Sequence, residues 1–244
     1  MNQHSSAVPS VTAAQMAEVD RLMTEVFHID LVQMMENAGR LLARLAADRF
    51  LSGSPVGKAV AVLAGTGGNG GGALVCARRL HAWGAAVQIV LTKPPEAFKD
   101  VPAHQLQILQ ALRLPVLQAS SLPAIGRQEL LVDGLVGYRL SGSPHGTVAM
   151  LIEWANTQED PVLALDIPSG MDATTGQVYP PAIKATATMT LALPKTGLLH
   201  EGAKPYVGEL YLADIGVPPV VYAQPSLGLE VGPLFSSADL IRLR

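Results

Sequence analysis

Asp133 closes the apolar run ELLVD, Asp166 closes VLALD, and Ser169 follows it within DIPSG. A carboxylate at the end of a buried strand can trade a proton with a bound molecule. It can also serve structure alone. Asp133 has a second reading as the cap of a following helix. Asp166 and Ser169 have a second reading as an Asx or Ser turn, with Pro168 fixing one dihedral and Gly170 freeing another. Ser169 is not a nucleophile elbow, because G-x-S-x-G is absent and no histidine pairs with it in the sequence. Lys195, in LPKTGL, reads as a solvated lysine at a strand end. His4, His28, His81, His104, His145 and His200 show no metal-ligand spacing.

A third strand end carries no acid but a run of glycine. From Gly65 to Gly72 only Thr66 and Asn69 are not glycine, and Gly65, Gly67 and Gly70 satisfy G-x-G-x-x-G. Such a turn lets backbone approach a phosphate, and the following helix start offers N–H donors and a positive dipole end. A dinucleotide coenzyme fold also needs an acid about 20 residues on, for the ribose hydroxyls. The next strand ends in Leu91, Thr92 and Lys93, none of them acidic. A Walker loop needs Gly-Lys-Ser/Thr, and Gly71, Gly72 and Ala73 do not supply it. The motif alone leaves a tight strand-to-helix turn without ligand as an open alternative.

The elements that must position these residues alternate in type. KAVAVLAG, AAVQIVLT, LPVLQ, ELLVDGLVG, VLALDIPSG, ATATMTLALP and GELYLADIG read as strands without polar alternation, as expected when both sheet faces are covered. Helical patterns run from about Leu31 to Phe50, Ala73 to Trp83, Val101 to Leu112, and over GTVAMLIEWANT. Thr12 with Gln15 reads as a capping box opening a helix through Met16, Val19, Leu22 and Met23. The fold expected is a three-layer, doubly wound α/β sheet, mostly parallel and Rossmann-like, with N-terminal helices packed on it. In such sheets ligands lie beyond the carboxyl ends of the strands, which is where the three unusual strand ends meet.

The bulk composition excludes other classes. The 244 residues are 49% hydrophobic, enough for one full core, so residues 1–244 read as a single domain. Residues 1–10 read as frayed and 220–244 as a C-terminal extension. A net charge of −3 gives no basic field for nucleic acid or an anionic membrane. The N-terminus has no secretory pattern, and no apolar run reaches the roughly 18 residues of a membrane span. The single Cys76 precludes an intramolecular disulfide. A cytoplasmic protein is expected.

Several blocks in order carry a resemblance: TAAQMAEVD, MMENAGR, GTGGNGGGALVCARRL, VDGLVGYRLSG, LALDIPSGMDATTG, IKATATMTLALPKTGL and YVGELYLADIGVP. Together, over roughly residues 11–219, they resemble the YjeF N-terminal domain family, the NAD(P)H-hydrate epimerases. The resemblance implies epimerisation of NADHX or NADPHX, hydrated forms of the reduced cofactors, at the hydroxyl-bearing ring carbon. It also implies a bound potassium ion held by Asn69, Asp133 and Ser169, a set of oxygen donors suited to a hard cation. It places Gly68, Asn69, Gly70, Gly71 and Gly72 along the substrate. A second substrate loop is implied at Gly137, Tyr138, Arg139, Leu140, Ser141, Gly142 and Ser143. Asp166 becomes the substrate-contacting aspartate and the candidate acid/base group.

The family's loops usually read Asn-Asn-Gly-Gly-Asp-Gly and Gly-Thr-Gly. This chain has Gly72 in place of the first loop's aspartate, and Tyr138 and Arg139 in the second loop. Those departures keep a second reading open, a non-catalytic nucleotide-binding or protein-interaction module on the same fold. The absent ribose acid disfavours a third, an NAD-dependent dehydrogenase. A homodimer through the N-terminal helices is expected. The ending SSADLIRLR resembles the lead-in to a dehydratase domain, which would be fused or separate.

Overall fold

The computed structural model describes residues 8–244. At its centre, AVAVLA forms β1 (Ala59–Ala64), buried from Val60 onward. It pairs in parallel with β2 (Ala86–Leu91) on one side and β4 (Leu130–Gly134) on the other. β3 (Val116–Gln118), β5 (Val162–Leu165), β6 (Ala187–Leu191), β7 (Glu209–Ala213) and β8 (Leu240–Arg242) complete one eight-stranded sheet. The order is β3-β2-β1-β4-β5-β6-β7-β8, with only β8 antiparallel. The chain runs outward from β1 to β3, then returns to β4 on the other flank of β1. That reversal makes the β1–β4 boundary the switch point where such sheets bind ligands.

Alternating side chains of the strands serve the two faces. Val60, Val62, Ile89, Val132 and Leu163 share one core with α2 (Leu31–Phe50), α3 (Gly68–Ala82) and α4 (Asp100–Ala111). Ala61, Leu63, Val90, Leu131 and Ala164 share the other with α5 (Gly146–Thr157). The three-layer, mostly parallel fold expected from the sequence is thus present. The reason is the uninterrupted apolar character of the strands, which only two covered faces can satisfy.

α1 (Ala13–Arg21) starts at the predicted capping box: the Gln15 amide donates to Thr12 Oγ1 at 3.2 Å, and the Thr12 amide to Gln15 Oε1 at 2.9 Å. It continues through a π turn at Leu22–Val26, and Met16, Val19, Leu22 and Met23 are buried. Val11 is stitched beside Lys195: its amide donates to the Pro194 carbonyl, and its carbonyl accepts from the Thr196 amide, both at 2.9 Å. This stitch lays α1 across the carboxyl end of the sheet. The frayed stretch expected at residues 1–10 lies outside the described residues at 1–7, and Val8 packs on the α1 cluster. From the C-terminal stretch, Val221, Tyr222 and Leu227 join the same cluster, and β8 edges the sheet. No helix of the described residues is long and apolar enough to cross a membrane.

One boundary differs from expectation. α3 begins at Gly68 rather than Ala73, so the glycines after Gly67 form its first turns. Glycine disfavours helix interiors by about 1 kcal/mol relative to alanine, which is why the sequence reads as a loop there. Packing decides otherwise. A Cβ on Gly70 would stand 1.7 Å from the Gly65 carbonyl oxygen, and one on Gly39 of α2 would stand 2.4 Å from Val75 Cβ. α3 is seated against β1 and α2 at distances that only glycine allows.

Candidate active site

Asp166 follows β5 directly, with φ of 65°, a left-handed conformation that aspartate tolerates better than most residues. The turn aims its carboxylate at the segment leaving β6. Asp166 Oδ1 accepts from Lys195 Nζ at 2.5 Å, Thr190 Oγ1 at 3.2 Å and the Leu191 amide at 3.3 Å. Lys195 Nζ also donates to the Leu191 carbonyl at 2.9 Å. The side-chain exposures are 0% for Lys195 and 3% for Asp166. Lys195 is therefore not the solvated lysine that the sequence suggests. Bringing β5 and β6 side by side puts a carboxylate within reach of its amine, and the pair is buried together because neither charge is stable there alone.

Asp133 lies inside β4 with no exposure. It caps no helix, contrary to one of its two sequence readings. Its Oδ1 accepts from Ser169 Oγ at 2.6 Å and the Leu135 amide at 3.1 Å, and its Oδ2 from the Ser169 amide at 2.8 Å. Burial pushes its pKa up to about 6, against the opposing pull of the hydrogen bonds from Ser169 and Leu135. Ser169 Oγ also accepts from the Val136 amide at 2.9 Å, with the Val136 carbonyl oxygen 3.2 Å away. Asn69 approaches the same turn from α3. Its Nδ2 donates to the Leu165 carbonyl at 2.7 Å, and a Cβ on Gly137 would lie 2.7 Å from its Oδ1. Asn69, Asp133 and Ser169 therefore converge on the 133–137 turn. A buried carboxylate among neutral oxygens suits a hard monovalent cation. Among the described residues no cluster of three His, Cys, Asp or Glu exists to suit a transition metal.

Two cavities meet at this place. The inner one, about 90 Å³, is lined by Met16, Met34, Met35, Leu165 and Ile215, with Asp20, Asp166 and Lys195 as its charged groups. The outer groove, about 430 Å³, runs over Thr66, Gly67 and Gly68 to Leu135, Val136, Gly137 and Arg139. Asp20, Leu31, Gly68, Asn69 and Tyr138 border both. The Tyr138 hydroxyl donates to Asp20 Oδ2 at 2.5 Å, joining the loop after β4 to α1. A third hollow, about 280 Å³, holds Leu140, Ser141, Gly142 and Ser143 with Lys93 and the start of α5.

The glycines of the first loop divide by role. Gly68 and Gly72 border the inner cavity. Gly70 and Gly71 are buried against Gly65 and Met35 and border neither cavity. Their smallness is used for packing.

The model of the family described as YjeF-related protein N-terminus matches residues 31–197. The chain belongs to that family. The NAD(P)H-hydrate epimerase of Dehalogenimonas lykanthroporepellens is 40% identical over 237 residues, which is 97% of this chain and 94% of that one. A protein of Moorella thermoacetica named bifunctional NAD(P)H-hydrate repair enzyme Nnr is 36% identical over 215 residues. That alignment takes 85% of this chain but only 40% of the Moorella protein. The crystal structure of yeast ynu0 superposes with a TM-score of 0.82, covering 97% of this chain and 100% of that one, at 24% identity. At that identity the yeast structure speaks for the fold alone.

Within the YjeF-related family span lie every predicted site residue and Lys195. Asp20 stands ahead of it, on α1. Lys195 and Asp20 line the inner cavity, and the sequence reading named neither as a site residue. For Lys195 the signal is a lysine in an otherwise apolar segment immediately after a buried strand. For Asp20 it is an acid one residue beyond the buried Val19, inside a helix whose apolar face is otherwise regular.

Proposed function

We infer that this chain is an NAD(P)H-hydrate epimerase, interconverting the two epimers of hydrated NADH or NADPH. The observation that carries the reading is the Asp166–Lys195 pair at the end of an apolar cavity that opens onto a groove of glycine backbone. A cavity of methionine and leucine suits a reduced nicotinamide ring, while the groove suits the polar remainder of a dinucleotide. The Dehalogenimonas relative named for this activity, at 40% identity over 97% of this chain, supports the same conclusion.

Hydration of a ring double bond beside nitrogen leaves the hydroxyl on the carbon attached to that nitrogen. In this reading the hydroxyl departs as water and water returns to the opposite face. Asp166, positioned by Lys195, is the acid/base group in this reading. Gly68, Asn69 and Gly72, with the loop Gly137–Ser143, contact the substrate. Asn69, Asp133 and Ser169 are the residues that would hold potassium, which would supply positive charge beside an anionic ligand. A homodimer and residence in the cytoplasm belong to the same reading. In the relatives named bifunctional the matched segment is less than half of the protein, so a dehydratase activity in cis or in trans is proposed as the partner.

The test is to supply a mixture of NADHX epimers, remove one selectively with an epimer-specific dehydratase, and follow conversion of the other. Catalysed conversion supports the epimerase. Nucleotide binding without conversion would replace it with a binding module.

A further inference from the structure

We propose that Asp20 is a second acid/base group of this reaction, serving the ring face opposite to Asp166 and Lys195. The proposal rests on the epimerase reading above. Asp20 reaches the inner cavity from α1, whereas Asp166 and Lys195 reach it from the ends of β5 and β6. Because the Val11 stitch lays α1 over the carboxyl end of the sheet, a flat ring inserted from the groove between α1 and the strand ends would turn one face to Asp20 and the other to Asp166 and Lys195.

Asp20 carries no ion-pair partner as close as that of Asp166. Its nearest cation is Arg139, at 3.9 Å and largely exposed. The Tyr138 hydroxyl at 2.5 Å is its only close hydrogen-bond donor, so Asp20 Oδ1 has no such donor among the described residues. The groups facing Asp20 are Tyr138 and Arg139 from the loop after β4, with Lys195 and Asp166 across the cavity. Burial raises its pKa, and the Tyr138 hydrogen bond and the two cations counter that rise. Its carboxyl therefore holds a proton to higher pH than that of an exposed aspartate.

The chemistry balances with water alone, because after each turnover Asp20 releases its proton to solvent and the Asp166–Lys195 pair takes one up. From the epimer whose hydroxyl faces Asp166 and Lys195, the carbon–oxygen bond breaks with its electron pair on oxygen. A proton from that pair completes a water molecule, and the ring-nitrogen lone pair forms a carbon–nitrogen double bond. Water then adds to the opposite face of the planar cation, its lost proton passing to the Asp20 carboxylate, and the electron pair returns to nitrogen. The reverse direction exchanges the two roles. With acid/base groups on one face alone, only the return of water to the face it left would be assisted.

Labelled water separates the two faces. In H2(18)O the wild type should place label in both epimers while interconverting them. Asp20→Asn should reduce interconversion at least 100-fold, a normal loss for one acid/base group. In that variant one epimer alone should still exchange its oxygen with solvent, retaining configuration. Tyr138→Phe keeps the ring and removes the hydrogen bond, so the acid limb of its pH–rate profile should move to higher pH. It provides the reading should Asp20→Asn fail to fold. Asp20→Asn interconverting at the wild-type rate, or exchanging both epimers or neither, would overturn the proposal, as would an unmoved acid limb in Tyr138→Phe. A wild type that converts no NADHX would instead remove the epimerase reading itself.

Discussion

Lys195 Nζ lies 2.5 Å from Asp166 Oδ1, and the two side chains are almost wholly buried beyond the ends of adjoining strands. Truncating one member of a buried pair leaves the other charge uncompensated, at a cost of about 3–5 kcal/mol. Lys195→Met and Asp166→Asn should each therefore lower unfolding free energy by that order in urea titration, because each leaves the partner's charge buried alone. Asp166→Asn should also lower epimerisation by 100-fold or more. Equal activity in Asp166→Asn and wild type would remove Asp166 from the chemistry.

Asn69, Asp133 and Ser169 meet at one turn, and the potassium assignment makes them salt-responsive. Melting temperature and epimerisation should both rise in potassium chloride relative to choline chloride at equal ionic strength. Asp133→Ala should abolish the difference. A wild type indifferent to the choice of cation would show that the oxygens serve the turn alone.

Two glycines of the same motif should respond oppositely to alanine. Nothing stands within 4 Å of a Cβ on Gly67, whereas one on Gly70 would meet the Gly65 carbonyl oxygen at 1.7 Å. Gly67→Ala should stay within about 0.5 kcal/mol of wild type, and Gly70→Ala should cost at least about 1–3 kcal/mol as α3 is pushed from β1. Chemical denaturation measures both. Comparable losses would mean that the loop, not the helix contact, selects glycine.

Gly72 borders the inner cavity, and a Cβ there would come 2.9 Å from Leu165 Cδ2. Gly72→Asp, the residue usual in the family, should lower stability by about 1–3 kcal/mol from crowding. If the departures have slowed the enzyme, Gly72→Asp with Tyr138→Thr and Arg139→Gly should convert NADHX faster than wild type. No gain in the triple variant would show that Tyr138 and Gly72 are compatible with full activity.

Asp20 also gives stability a pH dependence. Its folded pKa is raised by burial, so the folded state holds a proton that the unfolded chain has already lost. Its contribution favours the folded state at low pH and falls as pH climbs above the ordinary aspartate value. Asp20→Asn should flatten that decline in a series of melting temperatures. An identical decline in the variant would assign it to other groups.

Composition and local pattern determined much of this protein. The apolar strands require two covered faces, and that requirement alone yields a parallel sheet flanked by helices. The Thr12–Gln15 capping box and the helix over Leu31–Phe50 follow from contacts three and four residues apart. Asp133, Asp166 and Ser169 stand out as polar residues at the ends of apolar runs. Only the tertiary structure decided what these residues meet. Lys195 lies 29 residues beyond Asp166, and its burial depends on β5 and β6 being neighbours. Asp20 meets Tyr138 across 118 residues because the Val11 stitch turns α1 over the sheet. The glycines at 68–72 became helix rather than loop through the backbone contacts of Gly65 and Gly39. Periodicity registers which face of an element is buried, whereas the partner of a buried charge is fixed by strand order and helix placement.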